Sequence, residues 1–352
     1  MKGISVKYWG LFLAIVAILL SVCFFAFIRE PVTEPVQVDI VSEKTLIPGG
    51  HSVGIKMDVK GVLVVGLEEI ETADSIVNPG FDAGLQIGDI ILSINDIEVS
   101  YAYEVTNIVK NSDGILKMKV LRGDNVLFYT INAAKDISIG EYKLGIWVKE
   151  KIAGIGTLTF YDPETNTFAA LGHGIYERKT SMLVEAGGGE LLKTEVNSIK
   201  EGESGTPGEI RGIFYDQNIP LGNVFKNSKH GIFASGINIE EINLAEPMVI
   251  GTKDQIKTGK AYILTTIEGT EVEKFEIKIT KINKHNNQGN KGIELKVTDE
   301  KLLSHSGGII QGMSGSPIIQ DGKLVGAVTH VLVNDPTRGY GIFIENMLEA
   351  AK

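Results

Sequence analysis

A single cysteine, Cys23, and six histidines are all that the 352 residues contain of those two residue types. One thiol cannot form an intramolecular disulfide, and no cysteine pair exists to hold zinc. There is no H-E-x-x-H motif, so a clustered metal site is not expected and no cofactor is implied. Positive charge is scarce as well: 34 Lys and Arg stand against 44 Asp and Glu, a formal net charge of -10. A nucleic-acid binder needs a basic face, and this balance argues against that class. Long stretches of helical period are few, whereas glycine is abundant at 41 residues. The combination predicts a mainly β fold with many turns and two cores held by packing alone.

One long apolar run interrupts this pattern. Lys2 and Lys7 precede an uncharged stretch from Tyr8 to Ile28, and Arg29 closes it. Such a run is long enough for a transmembrane helix through a hydrocarbon core of about 30 Å. Lysines before it and Glu30, Glu34 and Asp39 after it orient the chain with its bulk outside the cytoplasm. A cleaved signal peptide is the alternative, but the run exceeds the usual apolar region and no small-x-small site follows. Residues 1–29 are read as a cytoplasmic stub and single-pass anchor. Residues 30–43, with two Glu-Pro pairs, are read as an extended linker open to proteolysis.

Residues 44–137 read as a small α/β module. A strand over 61–70, a turn and strand over 78–99, a helix after Ser100 and a hairpin turning at Gly123–Asp124 follow one another. The stretch "AGLQIGDIILSINDIEV", with Ala83-Gly84-Leu85, Gly88-Asp89 and Ile94-Asn95, resembles a PDZ domain. Such domains add an extended peptide to a sheet edge. The Gly-rich "PGGHSVGIKM" is read as the loop that holds the peptide carboxylate, through Gly49, Gly50, Val53, Gly54 and Ile55.

Residues 138–352 carry short apolar runs between Gly, Asn and Asp turns. "KFEIKITKI" alternates strictly, and many short strands predict a barrel or sandwich. A final "ENMLEAAK" reads as a helical tail. Near the end stands "QGMSGSPIIQDGKLVGAVTH", residues 311–330. Gly312 and Gly315 flank Ser314, Pro317 sets the exit, and a hairpin follows at Asp321–Gly322. An acyl-transfer serine needs a tight turn with backbone N–H groups aimed at the oxyanion, and glycines permit that turn. This layout resembles the nucleophile loop of chymotrypsin-like proteases, with the N–H groups of Gly312 and Ser314 as the oxyanion hole. Ser204, in "EGESGTPGEI", fits the same short pattern but lacks the hairpin. Ser316 is a neighbour of no expected role.

A serine nucleophile needs a base. His51 lies in the Gly-rich loop. His230 and His285 lie in polar turns, His305 stands close to the serine and His330 follows it. His173 ends an apolar run between Gly172 and Gly174, giving an imidazole at a strand end, and is the preferred base. The orienting acid stays open among Asp162, Asp216, Asp254 and Asp299. Asp299 also reads as a cap for "EKLLSH".

The runs "GIGTLTFYDPETNTFAALGHGI", "VTDEKLLSHSGGIIQGMSGSPIIQDGKLVGAVTH" and "DPTRGYGIFIENML" resemble the sporulation stage IV protein B family of serine peptidases. With the anchor and the PDZ-like module, the resemblance spans essentially the whole chain. It implies a self-cleaving endopeptidase between the forespore membranes. The substrate it implies is a membrane-bound regulator of an intramembrane protease, whose release matures a sigma factor. It implies Ser314 and His173 as catalytic residues and Asp299 as the acid. The expected partners are a protein substrate in the membrane or intermembrane space, a peptide or the chain's own linker at the PDZ-like module, and the membrane. The competing expectation is a non-enzymatic PDZ adaptor with a degenerate protease-like domain.

Overall fold

The computed structural model describes residues 44–177, 181–215, 218–284 and 289–352. The expected anchor and linker, together with Asp216 and His285, lie outside the described residues. Among the described residues no helix is long and apolar enough to cross a membrane.

Two antiparallel rings of strands organise the chain. In the first ring, Ser52–Leu67 pairs with Ile146–Asp162, which pairs with Thr167–Ala170. Gly231–Gly236, Gly222–Ser228 and Ala186–Lys200 follow, and Ala186–Lys200 returns to Ser52–Leu67. Val53, Ile55, Met57 and Val59 alternate along one face of their strand and are buried with Leu158, Phe168, Leu191 and Ile232. That alternation is what a strand with one packed face requires.

The second ring is a closed barrel of Gly259–Thr265, Glu273–Ile282, Ile293–Val297, Asp335–Phe343, Lys323–Leu332 and Pro317–Gln320. Phe275, Ile277 and Ile279, the apolar positions of "KFEIKITKI", fill its interior with Ile263, Leu295, Ile318 and Val328. Its hairpin turns at Asp321 and Gly322, with φ 51° and 75°. Positive φ at both central residues is the turn that matches strand twist. A third cluster joins the rings. Leu46, Phe160, Ala169 and Phe233 meet Ile319, Leu324, Ala327 and Ile342, and the helix Ile344–Ala351 adds Ile344 and Met347. The expected helical tail thus closes the junction.

The small module is an insertion in the first ring. The strands Ser52–Leu67 and Ile146–Asp162 enter and leave it as one long pair, 16 and 17 residues in length. Its own core holds Val62, Val64, Leu85, Ile91, Ile94, Val105, Leu116 and Ile131. Asp89, fully buried, accepts from Arg122 through Nε and Nη2 at 2.7 Å each and from the Gln86 N–H at 2.9 Å. The Gly-Asp pair of the motif is therefore an ion-paired clasp between a loop and a hairpin strand. The helix expected after Ser100 spans Ala102–Lys110. Its start is capped by the Glu104 carboxylate, which accepts the N–H groups of Ser100 and Tyr101, and not by the serine side chain.

The module boundary at residue 44 is corrected by these pairings. Thr45–Pro48 pairs with Ile146–Asp162, and residues 52–59 are walls of the first ring. The expected carboxylate loop is corrected with it. Gly49 N–H donates to the Thr159 carbonyl at 2.9 Å and Gly50 N–H to that of Leu158 at 2.8 Å. Val53, Gly54 and Ile55 are buried in mid-strand. These donors are already satisfied, so they cannot receive a ligand. A glycine-rich run reads the same whether its backbone is free or paired, and only the partner strand decides.

Candidate active site

Ser314 sits on the loop that leads into the barrel strand Pro317–Gln320. Gly312 and Gly315 take φ of +103° and +99°, which only glycine adopts at little cost. Met313 is buried between them and pins the loop. The Gly315 N–H donates to the Val328 carbonyl at 2.7 Å, and the Ser316 N–H to that of Met313 at 3.0 Å. Ser316 is buried and gives its hydroxyl to the Met313 carbonyl at 2.7 Å, a structural role. The N–H groups of Gly312 and Ser314 make no hydrogen bond within the described residues. Two unpaired donors bracketing a serine hydroxyl are what an oxyanion hole needs. The Ser314 hydroxyl itself donates to the Thr329 carbonyl at 2.9 Å.

His173 follows the strand Thr167–Ala170 of the first ring. Leu171 and Gly172 turn the chain with φ of 69° and 66°. A leucine there is strained, a feature that recurs at functional sites. His173 Nδ1 donates to the Gly174 carbonyl at 2.9 Å. That bond places the proton on Nδ1 and leaves Nε2 as an acceptor, the tautomer a general base requires. Burial pushes its pKa below the ordinary 6.5, partly offset by the Gly174 carbonyl.

The two loops meet along the barrel strand Lys323–Leu332. Thr329 receives the serine hydroxyl, and the next residue, His330, faces His173 with ring centroids 5.3 Å apart. Burial, then the His173 ring and Lys291, lower His330 to about 4, so it is neutral at physiological pH. Its Nδ1 is buried and has no hydrogen-bond partner among the described residues. In sequence His330 merely follows the serine, which gives it no evident place beside the base. The hairpin "IIQDGKLVGAVTH" carried the signal, since its return strand brings residues 328–330 back beside residue 314.

The remaining candidates separate from this site. Ser204 is exposed on a turn closed by Glu203 and Thr206, and its hydroxyl donates to the Asn334 carbonyl at 2.9 Å. The Asp299 carboxylate does not bond His173. It caps the helix Glu300–Ser306, accepting Leu302 N–H at 3.2 Å, and takes Glu276 N–H at 3.2 Å. Asp162 pairs with Lys44 at 2.9 Å and Asp254 with Lys284 at 3.6 Å. The Gly174 carbonyl thus occupies the position of the orienting group. His51, lowered to about 4 by burial, lines a separate cavity with Ser52 and Lys193. His305 is exposed on its helix. No group of metal-ligating side chains is found among the described residues.

A family model described as SpoIVB peptidase S55 matches residues 140–348. The chain belongs to the SpoIVB peptidase family. The match takes in both candidate loops and the whole second barrel. It begins after the strand Ser52–Leu67, so the family segment borrows one wall of its first ring from upstream.

Proposed function

We propose that the chain is a membrane-anchored serine endopeptidase of sporulation signalling, with Ser314 as nucleophile and His173 as base. The observation that carries this reading is the pair of unpaired N–H groups, Gly312 and Ser314, beside a hydroxyl held by Thr329, whose neighbour His330 packs against the tautomer-fixed imidazole of His173. In turnover the Ser314 hydroxyl swings from the Thr329 carbonyl to His173 Nε2 and loses its proton there. Oγ attacks the peptide carbonyl, and the oxyanion falls to the two N–H groups, a contribution of about 3 kcal/mol per donor. Imidazolium forms with Nδ1–H held by the Gly174 carbonyl. It gives the Nε2 proton to the leaving amine, and water then hydrolyses the acyl-enzyme through the same groups.

The substrate we propose, on the resemblance, is a membrane-bound regulator of an intramembrane protease, cut in the forespore intermembrane space, with the chain also cleaving itself. The inserted module fits a PDZ role at a different place from the Gly-rich run. A groove of about 330 Å³ lies between the helix Ala102–Lys110 and the edge of residues 146–148, lined by Val105, Val109, Leu144, Gly145, Ile146 and Trp147. The N–H groups of Leu144 and Gly145 have no partner among the described residues, and the strand edge facing the helix is unpaired. An extended peptide would add there and place its carboxylate on those N–H groups.

Processing of the chain tests the reading. Wild type, Ser314→Ala, His173→Ala and Ser204→Ala are compared on a gel and against a membrane-protein target. Fragments that vanish in the first two variants and persist in the third support it. Loss in Ser204→Ala alone moves the nucleophile, and no cleavage by any form favours the adaptor.

A further inference from the structure

The strand Ile146–Asp162 runs between the two candidate loops, and one residue on it touches both. The Thr157 N–H donates to the Ser314 carbonyl at 2.9 Å. Its hydroxyl donates to the Gly312 carbonyl at 2.7 Å. Its own carbonyl accepts the Leu171 N–H at 3.2 Å, two residues before His173. Thr157 is buried, with 1 % of its surface exposed. Two residues on, the buried Thr159 hydroxyl donates to the Gly315 carbonyl at 2.8 Å.

From this arrangement we infer that Thr157 is a positioning residue of the oxyanion hole, an inference that rests on the serine-peptidase reading above. A peptide unit is planar, so the Gly312 and Ser314 N–H groups turn with the units 311–312 and 313–314, and each is aimed by the units held on either side of it. Thr157 ties down the Gly312 and Ser314 carbonyls and so fixes the peptide units 312–313 and 314–315, each of which follows a donor residue. The units that carry the two donors are held through their own carbonyls, Gln311 by the Ile210 N–H and Met313 by Ser316, so with Thr157 the backbone on both sides of each donor is fixed, and the Gly312 and Ser314 N–H groups make no hydrogen bond among the described residues. The third bond anchors the base-bearing turn to the same residue, so nucleophile loop and base loop share one point of reference. The sequence fits these demands. A β-branched side chain suits the strand and has few χ1 rotamers, which holds the hydroxyl in place. Gly156 and Gly315 supply the close approach: a β-carbon at Gly315 would overlap the Thr157 carbonyl oxygen, and one at Gly156 would overlap Leu171.

Only the hydroxyl bond can be removed by substitution, so the test compares Thr157→Val, which keeps the shape, with Thr157→Ser, which restores the hydroxyl. The full chain is assayed on fluorescein-labelled casein. Reactive sites are counted by carrying biotinylated fluorophosphonate labelling to completion. Misplaced oxyanion donors lower turnover without weakening substrate binding, and an error of about 1 Å costs on the order of a hundredfold. The expected result is a fall in kcat per labelled site of about tenfold to a hundredfold in Thr157→Val. KM should stay within about twofold, and Thr157→Ser should recover most of the loss. A Thr157→Val chain with fewer labelled sites but wild-type kcat per site would mean a folding role only and would overturn the inference. So would a loss that Thr157→Ser fails to recover. Ser314→Ala separates the two levels. Wild-type hydrolysis that survives this substitution overturns the peptidase assignment of Ser314 and the inference with it.

Discussion

The imidazoles of His173 and His330 lie with ring centroids 5.3 Å apart, tilted by 38°, at the junction of the two rings. Two protonated rings at that distance repel each other, and burial disfavours even one. Burial lowers both pKa values, and the neighbouring His173 ring and Lys291 lower His330 further, to about 4. A base that works as neutral imidazole keeps working below the ordinary histidine range. The acid limb of kcat/KM is therefore expected below pH 6.5. A midpoint at or above 6.5 would contradict the buried, neutral pair.

The same burial makes stability depend on pH. His51 and His330 titrate near 4 in the fold and near 6.5 in the unfolded chain. Between those values the unfolded chain takes protons that the folded chain refuses. Stability is then full above about pH 6.5 and declines as pH falls toward 4. Urea midpoints at pH 7 and pH 5 check this, and His330→Gln should narrow the difference between them.

Asp299 separates a cap from an acid. Asn keeps an acceptor for the Leu302 N–H but carries no charge. The structure predicts that Asp299→Asn stays within about threefold of wild-type activity, and that Asp299→Ala loses about 1 kcal/mol of stability. An orienting carboxylate would instead make Asn cost on the order of 10⁴-fold in kcat.

Gly315 admits no side chain. Its φ is +99°, and a β-carbon would overlap the Thr157 carbonyl oxygen and crowd Leu171 N. Gly315→Ala is expected to abolish Ser314 labelling and to cost more than about 2 kcal/mol in unfolding free energy. Near-normal unfolding and labelling would show that the loop is looser than this packing.

The groove beside Trp147 is a separate prediction. A fluorescent peptide with a free, apolar C-terminal residue should bind the inserted module, and its C-terminal amide should not. Gly145 takes φ +67°, and a β-carbon there would strike the Glu68 carbonyl, so Gly145→Ala should abolish binding without touching Ser314 labelling. Equal binding of acid and amide would remove the carboxylate role of Leu144 and Gly145.

Much of the nucleophile side was legible because its determinants are local. Gly312, Gly315, Pro317 and the Asp321–Gly322 turn are adjacent in sequence, and glycine, proline and turn chemistry act over a few residues. "KFEIKITKI" read correctly because period two has one structural meaning. The first ring was hidden for the opposite reason. Its strand 52–59 is separated from its partners at 151–157 and 186–193 by the inserted module, and nothing local marks so distant a pairing. The Gly-rich run reads as a ligand loop, but it leads into and forms a wall of the first ring. The placement of His330 and Thr157 beside the two candidate loops depends on pairing across strands, which a linear reading cannot see. The cap role of Asp299 was legible beside its acid role, and only the partners of its two oxygens distinguish them.

An activated Ser314 should react with a serine-directed fluorophosphonate in a way that depends on His173. The full chain is treated with biotinylated fluorophosphonate, digested and mapped by mass spectrometry, alongside His173→Ala. One modified serine is expected, Ser314, labelled far more slowly when His173 is replaced. Labelling at Ser204, or labelling of Ser314 that is indifferent to His173, would contradict this role for Ser314.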